Sequence, residues 1–481
     1  MNDTLQLYVY PIKSLRPTHL SHAVLTEQGF PYDRCFMLLQ VKEGKGEEAA
    51  EEKKPILKNM HISGFHEMAL FHTDLNLERG QVIVKYVHPH TDKATIDIEG
   101  NNDEKNGDDI LHIPLSPSTE GLGELDINMH RSPTKAYNMG PEFNEWFSKR
   151  FGFPVILVYL GENTRPVLGS LSPSLQDDSR SLVSSLLLLS SLVITVMVVV
   201  LSSWFLRILL LALVSLVWQK HGNAGGGGKG ISSLIHQLLN KVVNGKGKGE
   251  RARITFADCA AYLVASETSL HDVTARLRAD GGNNVKSKQT EEDIEEEEEE
   301  MEMTKFRPNI VVSGASTAYE EDFWSELTVR HSEKDGSSNS SHLSSSSRII
   351  LTANCVRCNS INVDFKTGKP GKGPKGSVLK KLMKDRRVDK GAPYSPVFGR
   401  YGFWAPSKGK GKRTDSAAPH VIRIGDQVSV SKVTAERSIL GVSLFHFSRS
   451  LSLALSELRS SADRQIQTGH FDCRPAMACF H

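Results

Sequence analysis

The chain has 481 residues, with 58 Lys and Arg against 56 Asp and Glu, and six cysteines. This length suffices for two or three domains, each with a hydrophobic core. A net charge of +2 gives no overall field of the kind that indicates nucleic-acid binding. Six unevenly spaced cysteines do not form the disulfide framework of a small secreted protein, and no signal peptide is evident, so we expect a reducing compartment.

The first part of the chain is predicted to be rich in β-strands. Residues 5–9 alternate between apolar and polar side chains, and a proline ends this strand within the Tyr-Pro-Ile-Lys-Ser sequence at 10–14. A glycine turn leads through Asp33 and Arg34 into an apolar strand. Further elements are predicted as strands at 23–25, 67–71, 82–87, 110–113 and 155–159, and as a helix at 141–151.

Residues 182–218 differ from the rest in composition. Of these 37 residues, Arg207 alone is charged, and Leu, Val and Ile dominate. An uncharged apolar run of this length is typical of a membrane-embedded segment. The Gly-rich linker at 225–230 follows it and is predicted to be flexible.

The C-terminal part resumes a globular composition. An apolar segment at 254–264 precedes a predicted helix that ends at Leu277, and a Phe-Arg-Pro-Asn sequence at 306–309 precedes an Ile-Val-Val run. Two polar insertions, at 284–304 and 332–347, are predicted to be disordered.

The predicted elements nearest the C-terminus have weaker sequence patterns. A short helix is predicted at 379–386, and a strand at 428–430 is predicted to close a β-barrel. The tail at 438–481 has leucines at helical spacing and no assigned role.

Two thiols stand three residues apart in the Cys-Val-Arg-Cys sequence at 355–358. A thiolate is a nucleophile and a soft metal ligand, and a neighbouring cation such as Arg357 favours the thiolate form. One interpretation is a pair of buried cysteines at a strand end. A zinc site would need two further ligands, and Cys35 and Cys259 each stand alone. A thioredoxin-like pair needs a helix that starts at the motif, whereas residues 361–365 alternate like a strand.

The third interpretation is a resemblance to a known family. The sequence Cys-Val-Arg-Cys-Asn-Ser-Ile-Asn-Val-Asp at 355–364, with Thr-Gly at 367–368, resembles the signature of MOSC domains. These are the molybdenum-cofactor domains of mitochondrial amidoxime-reducing components and of molybdenum cofactor sulfurases. Other segments resemble the same family, including its N-terminal β-barrel, in the family's order: 10–14, 33–34, 254–264, 306–312 and 422–428.

The resemblance implies a binding site for the molybdenum cofactor (Mo-molybdopterin). In the family the second cysteine of the motif ligates the metal and is catalytic, which here is Cys358. Motif residues hold the pterin phosphate and nearby groups, and a dianionic phosphate suits Arg and Lys donors. The implied cofactor-binding residues are Lys13, Ser14, Arg34, Asp258, Arg307, Asn309 and Arg357. The chain departs from the family at Cys259 and Ala260, where hydroxyl side chains are common.

The predicted fold is mainly β with some α. It comprises a MOSC N-terminal β-barrel-like domain at 1–168, an insertion at 169–250 that carries the hydrophobic segment, a MOSC β-barrel at 251–437 and the tail. A single membrane crossing at 182–218 would separate the residues that are expected to share one cofactor. We therefore predict a hairpin or an interfacial anchor.

The resemblance implies an oxidoreductase that reduces N-hydroxylated compounds such as amidoximes, or nitrite, with electrons from cytochrome b5 and its NADH-dependent reductase. The expected location is a membrane, with the mitochondrial outer membrane as the family's example and the catalytic domains on the cytosolic side. No nucleic-acid partner is expected.

Two other functions stay open. One is a cofactor or sulfur carrier, as in cofactor sulfurase, where a pyridoxal-phosphate domain accompanies the MOSC part; pyridoxal phosphate enters here through that resemblance only. The other is a non-catalytic membrane protein that has kept a MOSC scaffold.

Overall fold

The computed structural model describes residues 5–43, 55–89, 109–168, 171–173, 252–281, 300–330, 346–405 and 419–440. The predicted membrane segment at 182–218, the linker at 225–230 and the tail beyond residue 440 lie outside these residues. Within the described ranges, no helix is both long enough and apolar enough to cross a membrane.

The described ranges contain 22 strands and three α-helices, so the predicted mainly-β class is confirmed. The strands of the N-terminal part are β1 (Leu5–Val9), β2 (Thr18–Leu20), β3 (His22–Val24), β4 (Phe36–Lys42), β5 (Ile56–Asn59), β6 (Phe71–Asn76), β7 (Gln81–Tyr86), β8 (Ile110–Pro114), β9 (Glu124–Met129), β10 (Ser132–Asn138), β11 (Val155–Tyr159) and β12 (Arg165–Pro166). Those of the C-terminal part are β13 (Arg253–Ile254), β14 (Tyr262–Ser266), β15 (Ile310–Val312), β16 (Trp324–Arg330), β17 (Ser346–Val356), β18 (Val363–Asp364), β19 (Lys369–Pro370), β20 (Val397–Ala405), β21 (Val421–Arg423) and β22 (Gln427–Val433). The helices are α1 (Pro141–Phe151), α2 (Glu267–Gly281) and α3 (Val378–Leu382).

The largest sheet joins both ends of the described chain. Its eight strands have the order β2-β1-β15-β14-β20-β17-β16-β22. β1 pairs antiparallel with β15, so that Leu7 lies opposite Ile310. The two edges of the sheet are linked because β3, which follows β2 directly, pairs with β21, which lies just before β22. The sheet therefore curves into a barrel around one apolar cluster, and residues near the N-terminus complete the barrel that carries the C-terminal motifs.

The second β-structure consists of a five-stranded sheet, β5-β4-β11-β10-β9, and a three-stranded sheet, β6-β7-β8. Helix α1 packs its aromatic side onto them, with the Phe147 ring centroid 5.6 Å from that of Phe71. Pro141 occupies the first turn of α1, where its missing N–H costs nothing. Gly152 ends the helix in a left-handed conformation (φ 75°), which glycine adopts without steric penalty.

The flanks of the insertion meet in a two-stranded ribbon. β12 pairs antiparallel with β13, and the amide of Val167 donates to the carbonyl of Ala252. The described segments on the two sides of the insertion therefore lie side by side, and Leu171 and Ser172 are buried there as well.

Two local predictions are wrong. The strand predicted at 67–71 is a 3-10 helix at His66–Leu70, and the strand begins only at Phe71. Residues 68–70 are all buried, and a short apolar run of this kind is compatible with a strand or with a helical turn. Residues 361–365 do alternate in burial, but 359–362 form a 3-10 helix and β18 has two residues.

Each of the two predicted disordered insertions includes residues that belong to the fold. Residues 300–304 belong to the fold, because Met301 and Met303 are buried beside helix α2. Ser346 and Ser347 belong to β17, where they pair with the end of β16. The remaining parts of both predicted insertions lie outside the described residues.

Candidate functional site

The two motif cysteines occupy different environments. Cys355 lies near the end of β17 with its side chain in the barrel core, 3% exposed. Burial raises the pKa of the Cys355 thiol, although Arg357 opposes this effect. Cys358 lies beyond the strand, caps the 3-10 helix at 359–362 and is exposed, with its Sγ 3.4 Å from the Ser360 Oγ. Cys358 is therefore the thiol that a ligand or a substrate can reach.

A cluster of basic side chains surrounds Tyr10, the residue after β1. The Arg34 and Arg307 guanidinium carbons lie 4.4 and 4.7 Å from the centre of the Tyr10 ring, at cation–π distance. The Tyr10 hydroxyl is buried and has no hydrogen-bond partner among the described residues. A buried hydroxyl of this kind normally finds a partner, so the site has an unmet polar group.

Arg34 is held from three sides. Its Nη1 donates to Asp33 Oδ2 at 2.5 Å and to Asn309 Oδ1 at 3.0 Å, and its Nη2 donates to the Arg307 carbonyl at 3.1 Å. Asp33 also accepts from the Tyr10 amide at 2.9 Å. The sequence motifs at 10–14, 33–34 and 306–309 therefore meet in one place.

Arg307 differs from Arg34 in having no ion pair with a carboxylate of the described chain. Its Nη2 and Nη1 donate to the main-chain carbonyls of Leu15, at 2.7 Å, and Ser14, at 3.4 Å. Burial lowers the pKa of Arg307 to about 10. The side chain is half-buried, and a desolvated cation whose hydrogen-bond partners are carbonyls is costly, so that an anionic ligand would offset the cost.

Lys13 connects this cluster to the loop before β14. Its ammonium donates to the Phe256 carbonyl at 3.0 Å and forms an ion pair with Asp258. Burial alone would raise the pKa of Asp258, but Lys13 and His130 hold it well below its usual range. Arg165, which is 1% exposed, fixes the same loop by donating to the carbonyls of residues 255, 257 and 258.

Two of the predicted cofactor residues use their side chains inside the protein. Asn309 accepts from Arg34 and from the Leu263 amide, and its Nδ2 donates to the Tyr8 carbonyl at 3.3 Å. Arg357 donates to the carbonyls of Phe306 and Phe398 at 2.8–3.0 Å. Asn309 thus positions Arg34, and Arg357 joins the cysteine loop to the segment that carries Arg307. Direct contact of either with a cofactor stays a prediction.

Three predicted site residues adopt a conformation that favours glycine. Ser14, Arg34 and Arg307 have φ values of 70°, 52° and 58°. A left-handed conformation costs a non-glycine residue on the order of 1 kcal/mol, and such strain concentrates at functional sites. The surrounding hydrogen bonds hold all three against that cost.

Four further residues belong to the site and had no assigned role in the sequence prediction: Tyr10, Asp33, His130 and Arg165. Tyr10 and Asp33 stand inside motifs that the sequence already marked. Nothing in the sequence around His130 or Arg165 signals a role, because their partners lie more than 90 residues away along the chain.

The arrangement fits an anionic group with a soft metal. The cluster contains Lys13, Arg34 and Arg307 against the carboxylates of Asp33 and Asp258, so positive charge is in excess. A cofactor phosphate would complete this balance, and Cys358 offers a thiolate ligand nearby in the fold. Within the described residues, no group of three or more His, Cys, Asp and Glu is placed to hold a metal ion by itself.

Comparison with known proteins agrees with the sequence motifs. Residues 1–154 match the family model of the MOSC N-terminal beta barrel domain, and residues 251–429 match that of the MOSC domain. The chain is 27% identical over 181 residues to mitochondrial amidoxime reducing component 2 of Macaca fascicularis. The aligned region covers 36% of this chain and 43% of that protein. It is 30% identical over 150 residues to mitochondrial amidoxime-reducing component 1 of Homo sapiens, covering 31% and 34%. These matches span less than half of the length of either relative.

Proposed function

Because this chain is a MOSC domain protein with a MOSC N-terminal β-barrel domain, similar to the mitochondrial amidoxime-reducing components, we propose that it is a molybdenum-cofactor oxidoreductase. The proposed substrates are N-hydroxylated compounds such as amidoximes, with nitrite as a second candidate. Reduction of an N-hydroxyl group consumes two electrons and two protons and releases water.

The observation that carries the proposal is excess positive charge in a cluster that Arg357 connects, through the Phe306 carbonyl, to the loop of an exposed thiol. Within the described residues, Arg307 hydrogen-bonds only to carbonyls and the Tyr10 hydroxyl has no partner. A half-buried guanidinium without a carboxylate partner is unfavourable unless a ligand supplies negative charge. A phosphorylated cofactor with a thiophilic metal would supply negative charge to the basic cluster and a metal to the Cys358 thiolate.

In this proposal each residue has a defined task. Lys13, Ser14, Arg34 and Arg307 hold the anionic part of the cofactor, and Cys358 supplies its thiolate. Asp258 fixes the Lys13 ammonium. Asn309 and Arg357 position the residues that make contact. When bound, the cofactor would supply a centre that transfers two electrons to the substrate.

Electron supply and location are parts of the same proposal. We propose cytochrome b5 and its NADH-dependent reductase as the electron source, by analogy with the family. We also propose that residues 182–218 attach the protein to a membrane, where a membrane-anchored donor is available. The meeting of β12 and β13 supports a tether that leaves and re-enters the fold at one place.

The test compares two single substitutions in the full chain. Cys358→Ala removes the proposed metal ligand, whereas Cys355→Ala changes the other thiol of the motif. We expect Cys358→Ala to reduce molybdenum content and reductase activity by more than about 100-fold. Loss of a residue that merely hydrogen-bonds to a metal ligand already costs about 10- to 100-fold, and loss of the ligand itself should cost more. Cys355→Ala should keep both. Molybdenum content by mass spectrometry and amidoxime reduction are the readouts.

Two results would contradict the proposal in different ways. Full activity in Cys358→Ala would exclude this thiol as the metal ligand. A wild-type protein that holds molybdenum cofactor but reduces no N-hydroxylated compound or nitrite would favour the carrier function instead.

A further inference from the structure

The segment directly after the cysteine loop is strongly basic. Residues 366–390, named here the basic segment, contain ten Lys and Arg and two Asp, a net charge of +8 in 25 residues. Because the whole chain has a net charge of +2, the other 456 residues together carry −6. This asymmetry is far larger than the near-neutral total indicates.

Most of these charges face solvent without a carboxylate partner. Lys381 and Arg386 are buried within the fold, but six basic side chains are exposed and form no ion pair within the described residues: Lys369, Lys372, Lys380, Lys384, Arg387 and Lys390. The two acids of the segment do not neutralise them. Asp385 pairs with Arg276, and Asp389 is 1% exposed and accepts from the amides of Gly391 and Leu440.

The basic segment is anchored to the loop of Cys358 at both ends. Asn362, in the 3-10 helix that Cys358 caps, accepts from the Gly371 amide through its carbonyl and from the Leu379 amide through its Oδ1. Near its C-terminal end, the Arg386 carbonyl accepts from the Val397 amide at 2.9 Å, and the adjacent Pro396 carbonyl accepts from the Arg357 amide at 2.8 Å. A molecule that binds the basic segment would therefore lie beside the exposed thiol.

We propose that the basic segment is the docking surface for an acidic electron-transfer protein that reduces the site at Cys358. This inference rests on the proposed function, because a reductase needs an electron donor that approaches the metal. Complementary charge orients the encounter of such partners and raises their association rate. Tyr394, which is 82% exposed just beyond the segment, adds an aromatic side chain of the kind that is enriched at interfaces.

The surface fits a protein better than a lipid bilayer. Peripheral membrane segments combine basic residues with apolar side chains that enter the acyl region. Among the described residues, the large exposed apolar side chains are Ile56, Leu77, Ile110, Tyr394, Ile424, Val433 and Ile439, and none lies within 366–390. The basic segment thus offers charge for recognition at a distance without an apolar anchor of its own.

The test uses two variants of the full chain with equal total charge. The first reverses four exposed charges of the basic segment: Lys369→Glu, Lys372→Glu, Lys380→Glu and Lys384→Glu. The control reverses four exposed charges elsewhere: Lys42→Glu, Arg79→Glu, Lys85→Glu and Arg423→Glu. Neither set contains a residue of the proposed cofactor site. The probe is the soluble haem domain of a cytochrome b5, in a binding titration and as electron donor.

We expect the first variant to lose about 10- to 1,000-fold in kcat/KM with the cytochrome at low salt, the range that electrostatic steering supplies. The control variant should resemble the wild type, and added salt should slow the wild type but not the first variant. With a small reductant, reduced methyl viologen, all three proteins should be equally active. Equal losses in both assays, or equal losses in both variants, would overturn the proposal.

Two further outcomes separate this proposal from the function on which it rests. Cytochrome binding that depends on the basic segment, in a protein with no molybdenum and no viologen-driven activity, would keep the docking surface and overturn the reductase. Binding of phosphatidylserine vesicles through the basic segment, without an effect of its reversal on cytochrome-driven turnover, would assign it to membrane attachment and overturn the docking proposal.

Discussion

Two clusters of arginines in this protein differ in how their charge is compensated. In the first, around Tyr10, the half-buried Arg307 guanidinium donates to main-chain carbonyls and to no carboxylate of the described residues. In the second, the fully buried Asp322 accepts from Arg386 Nη2 through both of its carboxylate oxygens, at 2.8 and 2.9 Å, and from Arg437 Nε at 2.8 Å. Arg386 and Arg437 of the second cluster thus share a carboxylate, whereas Arg307 of the first has no carboxylate partner within the described residues.

The difference separates a structural role from a binding role. Asp322 of the second cluster lies in the turn before β16. Its carbonyl accepts from Arg400 of β20, which also donates to Asn354 Oδ1 of β17, and its carboxylate pairs with Arg437 after β22. The cluster therefore holds these elements together. Both clusters contain a buried polar atom without a partner among the described residues, the Tyr10 hydroxyl in the first and Arg400 Nε in the second. The difference between them is therefore the carboxylate, which Arg307 lacks, and a cation without a carboxylate partner is the feature that we associate with ligand binding.

The largest expected effect is on stability, in the second cluster. Asp322→Asn leaves two guanidiniums without their carboxylate and should lower the free energy of unfolding by about 3–5 kcal/mol. The matched control is Asp385→Asn, which removes one of the two carboxylate partners of Arg276 at a site where the acid is 56% exposed. An exposed pair contributes about 0.2–1 kcal/mol, so the control should be nearly neutral. Urea unfolding of both variants measures the difference, and similar losses would show that burial of the pair is unimportant.

The next effect is on cofactor binding, in the first cluster. Arg307→Met should weaken retention of the molybdenum cofactor by about 10- to 150-fold, the equivalent of one charge-assisted contact of roughly 1.5–3 kcal/mol. The cofactor-free protein should unfold within about 1 kcal/mol of the wild type, because an apolar side chain often replaces a buried charge without loss. Arg386→Met provides the contrast, since it should destabilise the cofactor-free protein. If Arg307→Met destabilises that form as much, Arg307 is structural and the two clusters are alike.

Most residues of the candidate site belong to short motifs that can be recognised in the sequence. The Tyr-Pro-Ile-Lys-Ser, Asp-Arg and Phe-Arg-Pro-Asn sequences each contribute residues that meet at Tyr10. Their meeting depends on pairings such as β1 with β15, which join residues about 300 positions apart. Periodicity cannot predict such pairings, because it reports the environment of one segment only.

Other features left no trace in the sequence pattern. Ser14, Arg34 and Arg307 are not glycines, so their left-handed conformations could not be read from residue type. The 3-10 helix at His66–Leu70 was mistaken for a strand because a short apolar run is compatible with either structure. The carbonyl partners of Arg357 are Phe398 in β20 and Phe306 before β15, which lie 41 and 51 residues away along the chain, so the sequence around the adjacent cysteine does not indicate them.

The smallest expected effect comes from removing the predicted membrane segment, and it tests whether the first cluster is independent of it. Deleting 182–218 shortens a connection whose flanks are already joined by β12 and β13, and Arg165 at that joint holds the loop of Asp258. Changing the length of a closed loop alters its closure free energy by only about 0.6 kcal/mol per doubling, so molybdenum content should stay within about 3-fold of wild type. The variant should appear in the soluble fraction while the wild type stays with membranes.

Tags near residues 130 and 410 of the wild type should be cleaved from the same membrane face, because a chain that leaves and returns at one ribbon cannot place its two halves on opposite faces. Loss of molybdenum in the deletion variant would show that the segment supports the cofactor site directly, and cleavage from opposite faces would exclude a site shared within one chain.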